Sequence, residues 1–120
     1  MGKFLIRQTD TGWKFDLKAA NGETVATSEV YTTRAACVTG AQSVMKHAPK
    51  AKYADLTQQE QAANPKFELF QDKGGRFRFR LTARNGKIIA VSEAYATKAA
   101  CEHGIASVRR NAENATFEEE

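Results

Sequence analysis

The segment Trp13 to Ala48 lies over Phe77 to Ala112 at a constant offset with roughly half the positions identical, so the chain is two copies of one unit. The match extends backwards, Phe4-Leu5-Ile6 over Phe67-Glu68-Leu69, once one extra residue is allowed in the second copy. That residue falls in Asp72-Lys73-Gly74-Gly75, and an insertion there marks a loop. Forwards, Ala51-Lys52-Tyr53 matches Ala115-Thr116-Phe117, so each copy ends in a short segment with an aromatic at the same place. Any fold must satisfy both copies at once. One copy alone is too small to bury a core, whereas 120 residues with a 42% apolar fraction suffice for one modest core.

Each copy carries its own element signals. Trp13, Phe15, Leu17 and Ala19 alternate with Lys14, Asp16 and Lys18, and Phe77, Phe79, Leu81 and Ala83 alternate with Arg78, Arg80 and Thr82. Period two with one apolar side predicts a half-buried strand. Asn21-Gly22 and Asn85-Gly86 follow and predict type I′ hairpin turns, returning the chain antiparallel through Thr24 to Ser28 and Ile88 to Ser92. Thr33 and Thr97 then stand as N-caps of helices of about fifteen residues. The apolar helix faces are Cys37, Gly40, Ala41 and Val44, then Cys101, Gly104, Ile105 and Val108, with Ala and Gly suggesting a close approach to the sheet. Pro49 ends the first helix, and short last strands are expected around Tyr53 and Phe117. The expectation is a single α+β domain: repeat 1 over 3–56, a linker over 57–65 and repeat 2 over 66–118, packed about a pseudo-twofold axis.

The pattern Phe-Arg-Phe-Arg-Leu, Asn-Gly-Lys-Ile-Ile-Ala, Ser-Glu-x-Tyr, Thr-Lys-Ala-Ala-Cys and Gly-Ile-x-Ser-Val in the second copy resembles the YegP-like family of small, mostly bacterial, uncharacterised proteins. The first copy repeats it as Phe15-Asp16-Leu17, Asn21-Gly22, Ser28-Glu29-x-Tyr31 and Ala35-Ala36-Cys37. The resemblance covers nearly the whole chain. It implies tandem β3-α-β units forming one antiparallel sheet with two helices on one face, the terminal short strand of each unit exchanged into the other half. Single-copy relatives would reach the same form as dimers, so this tandem chain is expected to be a monomer holding its own partner as an intramolecular pseudo-dimer. Ala41 in place of Ile105, and Asp16 in place of Arg80, set the two halves apart.

Composition narrows the functional classes. Lys and Arg outnumber acids by 18 to 14, a net charge of +4 that permits nucleic-acid binding without requiring it. No apolar run approaches the length that crosses a bilayer, and the first residues carry no cleavage-site pattern, so no membrane association is expected. Cys37 and Cys101 suit a reducing compartment, and a cytoplasmic location is expected.

Two groups of residues are candidates for a site. Ser28, Glu29 and Tyr31 recur as Ser92, Glu93 and Tyr95 beside the caps Thr33 and Thr97. Hydroxyls and a carboxylate at a strand-to-helix turn can orient a small ligand or an anion, and the same residues can also cap turns and cover a core edge. The second group is Arg76, Arg78, Arg80 and Arg84, with Lys14 and Lys18 at related places in copy one. A basic sheet face can follow a phosphate backbone. Against this, Asp16 and Glu68 interrupt the charge, no aromatic platform is evident, and an open antiparallel face is ordinarily polar. His47 and His103 fall at unequal positions, no phosphate loop or nucleophile elbow is present, and no metal or cofactor is expected. The acidic end Glu118-Glu119-Glu120 reads as a solvated tail. The chain is expected to be a non-catalytic binding or interaction module, a stress-related role among its settings, with a protein partner or, alternatively, nucleic acid on the basic face.

Overall fold

The computed structural model describes residues 2–120. The first copy supplies β1 (Lys3–Gln8), β2 (Trp13–Lys18), β3 (Thr24–Thr27), α1 (Arg34–His47) and β4 (Lys52–Asp55). The second supplies β5 (Lys66–Gln71), β6 (Phe77–Thr82), β7 (Ile88–Val91), α2 (Lys98–Ala112) and β8 (Thr116–Glu119). All eight strands join one sheet in the order β4-β5-β6-β7-β3-β2-β1-β8. The copies meet at β3 and β7, where Thr27 opposes Val91.

Exchange of the terminal strands is borne out. β4 pairs with β5 of the other copy, and β8 with β1. Both of these pairs are parallel, so the sheet is mixed rather than antiparallel throughout. β4 is joined to its parallel neighbour β5 by the segment 56–65, and β8 lies at the far end of the chain from β1, so neither pair is a hairpin, and a four-residue strand has no pattern that fixes its direction in advance.

Alternation decides which face is covered. Phe4 opposes Leu17 and Ile6 opposes Phe15, while Phe67 opposes Leu81 and Leu69 opposes Phe79. All eight are buried, in one core with the expected helix faces Cys37, Gly40, Ala41, Val44 and Cys101, Gly104, Ile105, Val108. Fully burying each of these Phe, Leu and Ile side chains contributes about 1.5–3 kcal/mol. Thr33 Oγ1 accepts the Ala36 N–H and Thr97 Oγ1 the Ala100 N–H, both at 3.1 Å, as the caps require. Pro49 falls in a 3-10 turn, Ala48–Lys50, that closes α1.

The hairpin turns differ from the expected type. Gly22 and Gly86 have φ of +88° and +86°, but neither Asn21 nor Asn85 takes positive φ. The Gly22 N–H donates to Ala19 O and the Ala19 N–H to Glu23 O, giving a three-residue loop with the glycine as its left-handed residue. Asn21 Oδ1 accepts the Glu23 N–H at 3.0 Å, as Asn85 Oδ1 does for Lys87, and this local bond selects the longer turn over type I′.

The acidic end is not a free tail. Glu118 and Glu119 belong to β8, where Glu118 pairs with Lys3 at 3.0 Å and Glu119 with Arg34. A strand slot beside β1 is available to them only because the two copies exchange strands.

Candidate functional site: the seam between the repeats

The Ser-Glu-x-Tyr turn is a β-bulge. The Ser28 N–H donates to Phe15 O at 3.0 Å, the regular ladder bond. The return bond from the Phe15 N–H goes to Ser28 Oγ, also at 3.0 Å, instead of to a carbonyl. That hydroxyl in turn donates to Glu29 O at 2.7 Å. Pairing resumes at Trp13 and Tyr31, one residue later than an unbroken register would place it. Ser92 repeats every contact with Phe79 and Glu93. Both serines are buried, with the hydroxyl occupied as donor and as acceptor.

The bulge turns each tyrosine onto the core. Tyr31 stacks on Phe15 and Tyr95 on Phe79, and each hydroxyl rests where a side chain on Gly40 or Gly104 would stand. These glycines are fixed by close approach, since a Cβ there would overlap the tyrosine ring. Burial raises the pKa of both tyrosines above the ordinary phenol value. Of each triplet, only the glutamate is exposed to solvent.

The basic row divides. Arg78 and Arg80 lie on the uncovered face of β6, whereas Arg76 and Arg84 sit in the loops at its two ends. Arg78 pairs with Asp72 at 2.9 Å, and Arg80 with Glu68 at 2.8 Å. Burial would raise the Glu68 carboxyl, but bonds from Arg80 and Lys66 outweigh it and hold the pKa below the usual value. An aromatic does stand on this face: Phe70, with the Arg80 guanidinium 4.9 Å above its ring and covering it.

Lys14 and Glu93 are brought together from opposite copies. Both line a concavity of 270 Å³ on the uncovered face where β3 meets β7, with Arg7, Asp16, Thr27 and Val91. Asp16 is engaged, accepting from Arg7 at 2.9 Å and from the Thr27 hydroxyl at 2.7 Å. Among the described residues, neither Lys14 nor Glu93 has an ion-pair partner. Lys18 and Glu29 lie outside this cleft. Sequence reasoning passed over Arg7, although its place one strand away from Asp16, on the same face of an alternating pattern, was available as a signal.

A domain family described as "Domain of unknown function (DUF1508)" matches residues 9–55 and again residues 72–119. The chain belongs to the DUF1508 family. It is 37% identical to the UPF0339 protein YegP of Escherichia coli O157:H7 over 96% of this chain and 93% of that one. It is 40% identical to a UPF0339 protein of Bordetella pertussis over 95% and 91%. Two solution NMR structures have the same fold. That of E. coli yegP, a protein of unknown function, superposes with a TM-score of 0.79 at 34% identity, covering 98% of this chain and 91% of that one. That of the UPF0339 protein SO3888 from Shewanella oneidensis gives 0.80 at 29% identity, covering 98% and 90%. Each DUF1508 match spans a bulged hairpin, its helix and the exchanged strand, and leaves out the first strand of the copy.

The two cysteines of this DUF1508 chain serve the core. Cys37 and Cys101 are buried on the helix faces, and burial pushes the Cys101 thiol up to about 11, away from thiolate chemistry at neutral pH. His47 Nδ1 lies 2.9 Å from Ser43 O within its own helix, and no group of three metal-ligating side chains occurs among the described residues. Among the described residues no helix is long and apolar enough to cross a membrane.

Proposed function

We propose that this chain is a small non-catalytic binding module, acting as a monomer in the cytoplasm, whose ligand site is the seam cleft and whose ligand carries both a positive and a negative group. The observation that carries this reading is the juxtaposition of Lys14 and Glu93, one cation and one anion from different copies, each without an ion-pair partner among the described residues, in one concavity. A ligand bridging them exchanges hydration for two charge-assisted bonds. Neighbouring Arg7 and Asp16 pair with each other on the wall of the cleft. Nucleic acid is the weaker reading, because Asp72 and Glu68 engage Arg78 and Arg80, and Arg80 covers Phe70.

The test is an amide NMR titration of the isotope-labelled protein with the dipeptide lysyl-glutamate, and separately with mixed-sequence duplex DNA. Shifts confined to the residues around Lys14, Thr27, Val91 and Glu93, with affinity reduced about tenfold in Lys14→Ala and in Glu93→Ala, are expected. Shifts elsewhere, or affinity unchanged in both variants, overturn the reading. DNA binding that disappears in Arg78→Ala/Arg80→Ala would put the arginine face first.

A further inference from the structure

β8 is the last strand of the sheet, and its outer edge is open among the described residues. The Thr116 N–H donates to Gly2 O and the Glu120 N–H to Ile6 O, so these residues turn their main chain towards β1. Phe117 and Glu119, between them, direct N–H and C=O away from the sheet. At the other edge the chain answers the same need itself. Asp55, the counterpart of Glu119, donates its N–H to the Glu60 carboxylate at 2.9 Å, and its carbonyl accepts the Glu60 N–H at 3.1 Å. Of the two outward-facing residues of β4, Tyr53 and Asp55, the second is thus covered, whereas at β8 Phe117 and Glu119 are both open among the described residues.

Beside the bare edge lies a groove of 220 Å³ between α1 and β8, its apolar wall formed by Ile6, Val38 and Phe117. Phe117 stacks on Phe4 at 5.3 Å yet stays 41% exposed. The edge is also acidic on a chain of net charge +4: Glu118, Glu119 and Glu120 follow in a row. Lys3 and Arg34 reach Glu118 and Glu119, and Glu120 has no ion pair among the described residues. Antiparallel pairing of this edge with a second copy would set acids against acids, which is how edge strands are kept from self-association. The same acids favour a cationic strand. We infer that the β8 edge is a docking site for an extended segment of a partner, basic on one side and apolar on the other, added to the sheet as a ninth strand. Main-chain bonds to Phe117 and Glu119 hold it, one apolar side chain enters the groove, and its cations meet Glu118 and Glu120.

The full chain is titrated with the blocked peptide Lys-Val-Lys-Phe-Lys-Val and with its counterpart bearing Glu for Lys, followed by amide NMR. The expected result is binding of the basic peptide alone, with shifts along 116–120 and slowed hydrogen exchange at the amides of Phe117 and Glu119. Glu119→Pro removes an outward N–H without touching a bond to β1, and is expected to weaken binding at least about tenfold, against about threefold for Glu119→Ala. Glu118→Lys/Glu120→Lys, which leaves the backbone donors intact, is expected to reverse the preference between the two peptides. No binding at millimolar peptide, equal binding of both peptides, or indifference to both Glu119→Pro and the double charge reversal overturns the proposal. So does a dimer joined through β8 in sedimentation experiments.

Discussion

β4 and β8 hold equivalent places in the two halves and carry equivalent ion pairs, Lys98 with Asp55 and Arg34 with Glu119, yet the two pairs live in different media. Asp55 is buried and accepts from Lys98 at 2.8 Å and from the Thr57 N–H at 2.9 Å. Every residue of β8 is exposed. The repeat encodes the same contact twice, and the segment that follows β4, with its 3-10 turn Leu56–Gln58 and Glu60, withdraws one copy from water. An ion pair therefore takes its worth from its cover, because solvent screens the exposed one. The uncovered sheet face shows the opposite relation. There Arg7 and Asp16 are replaced by Phe70 and Arg80, and the charge at the centre of the site is inverted. Between these regions the bulged serines, the tyrosines and their glycines are the same in both halves down to individual hydrogen bonds.

Where the halves agree, substitutions should cost the same. Gly40→Ala and Gly104→Ala each gain helix propensity, about 1 kcal/mol, but drive a methyl into a tyrosine, so a net loss of about 1–3 kcal/mol is expected for both in urea denaturation. Adding Tyr31→Phe or Tyr95→Phe recovers part of it, and markedly unequal values would break the equivalence.

Where cover differs, the costs should part. Asp55→Ala is expected to lose about 1–2 kcal/mol in the same assay, with Lys98 partly exposed and able to rehydrate, while Glu119→Ala falls within the error of the measurement. The contrast extends to acid. Burial pushes the Asp55 carboxyl up, but the bonds from Lys98 and Thr57 prevail and hold its pKa below the usual value. A carboxyl depressed in the folded state contributes stability that is complete above its unfolded value of about 4 and is lost as pH falls through the lower folded one. Stability measured against pH should decline in that window, less steeply in Asp55→Ala, with Glu68 accounting for part of the remaining slope.

The smallest effects belong to the open face. Arg80→Ala should cost about 0.5 kcal/mol, since Glu68 keeps Lys66 at 3.1 Å. Arg7→Ala should cost more, about 1 kcal/mol, because the buried Asp16 then retains only the Thr27 hydroxyl. The reverse order would mean that the cation over Phe70 outweighs the carboxylate pair.

Much of this was legible in the chain. The period-two runs at Trp13 to Ala19 and Phe77 to Ala83 set which side of each strand is apolar, and Thr33, Thr97 and the Cys-Gly-Ala-Val spacing set where the helices begin and which face they bury. These are local properties, fixed by side-chain geometry within a few residues. Ser-Glu-x-Tyr was visible as a repeated polar motif, but its serine hydroxyl bonds an amide thirteen residues away, and its tyrosine meets a glycine in the following helix. Such partners are chosen by packing. The parallel direction of β4 and β8, the conversion of an acidic tail into a strand, and the meeting of Lys14 with Glu93 across the seam were likewise decided only in three dimensions. The first two depend on which copy a strand enters after its helix and the third on the junction of β3 with β7, and a sequence in which both copies read alike offers no local signal for either choice.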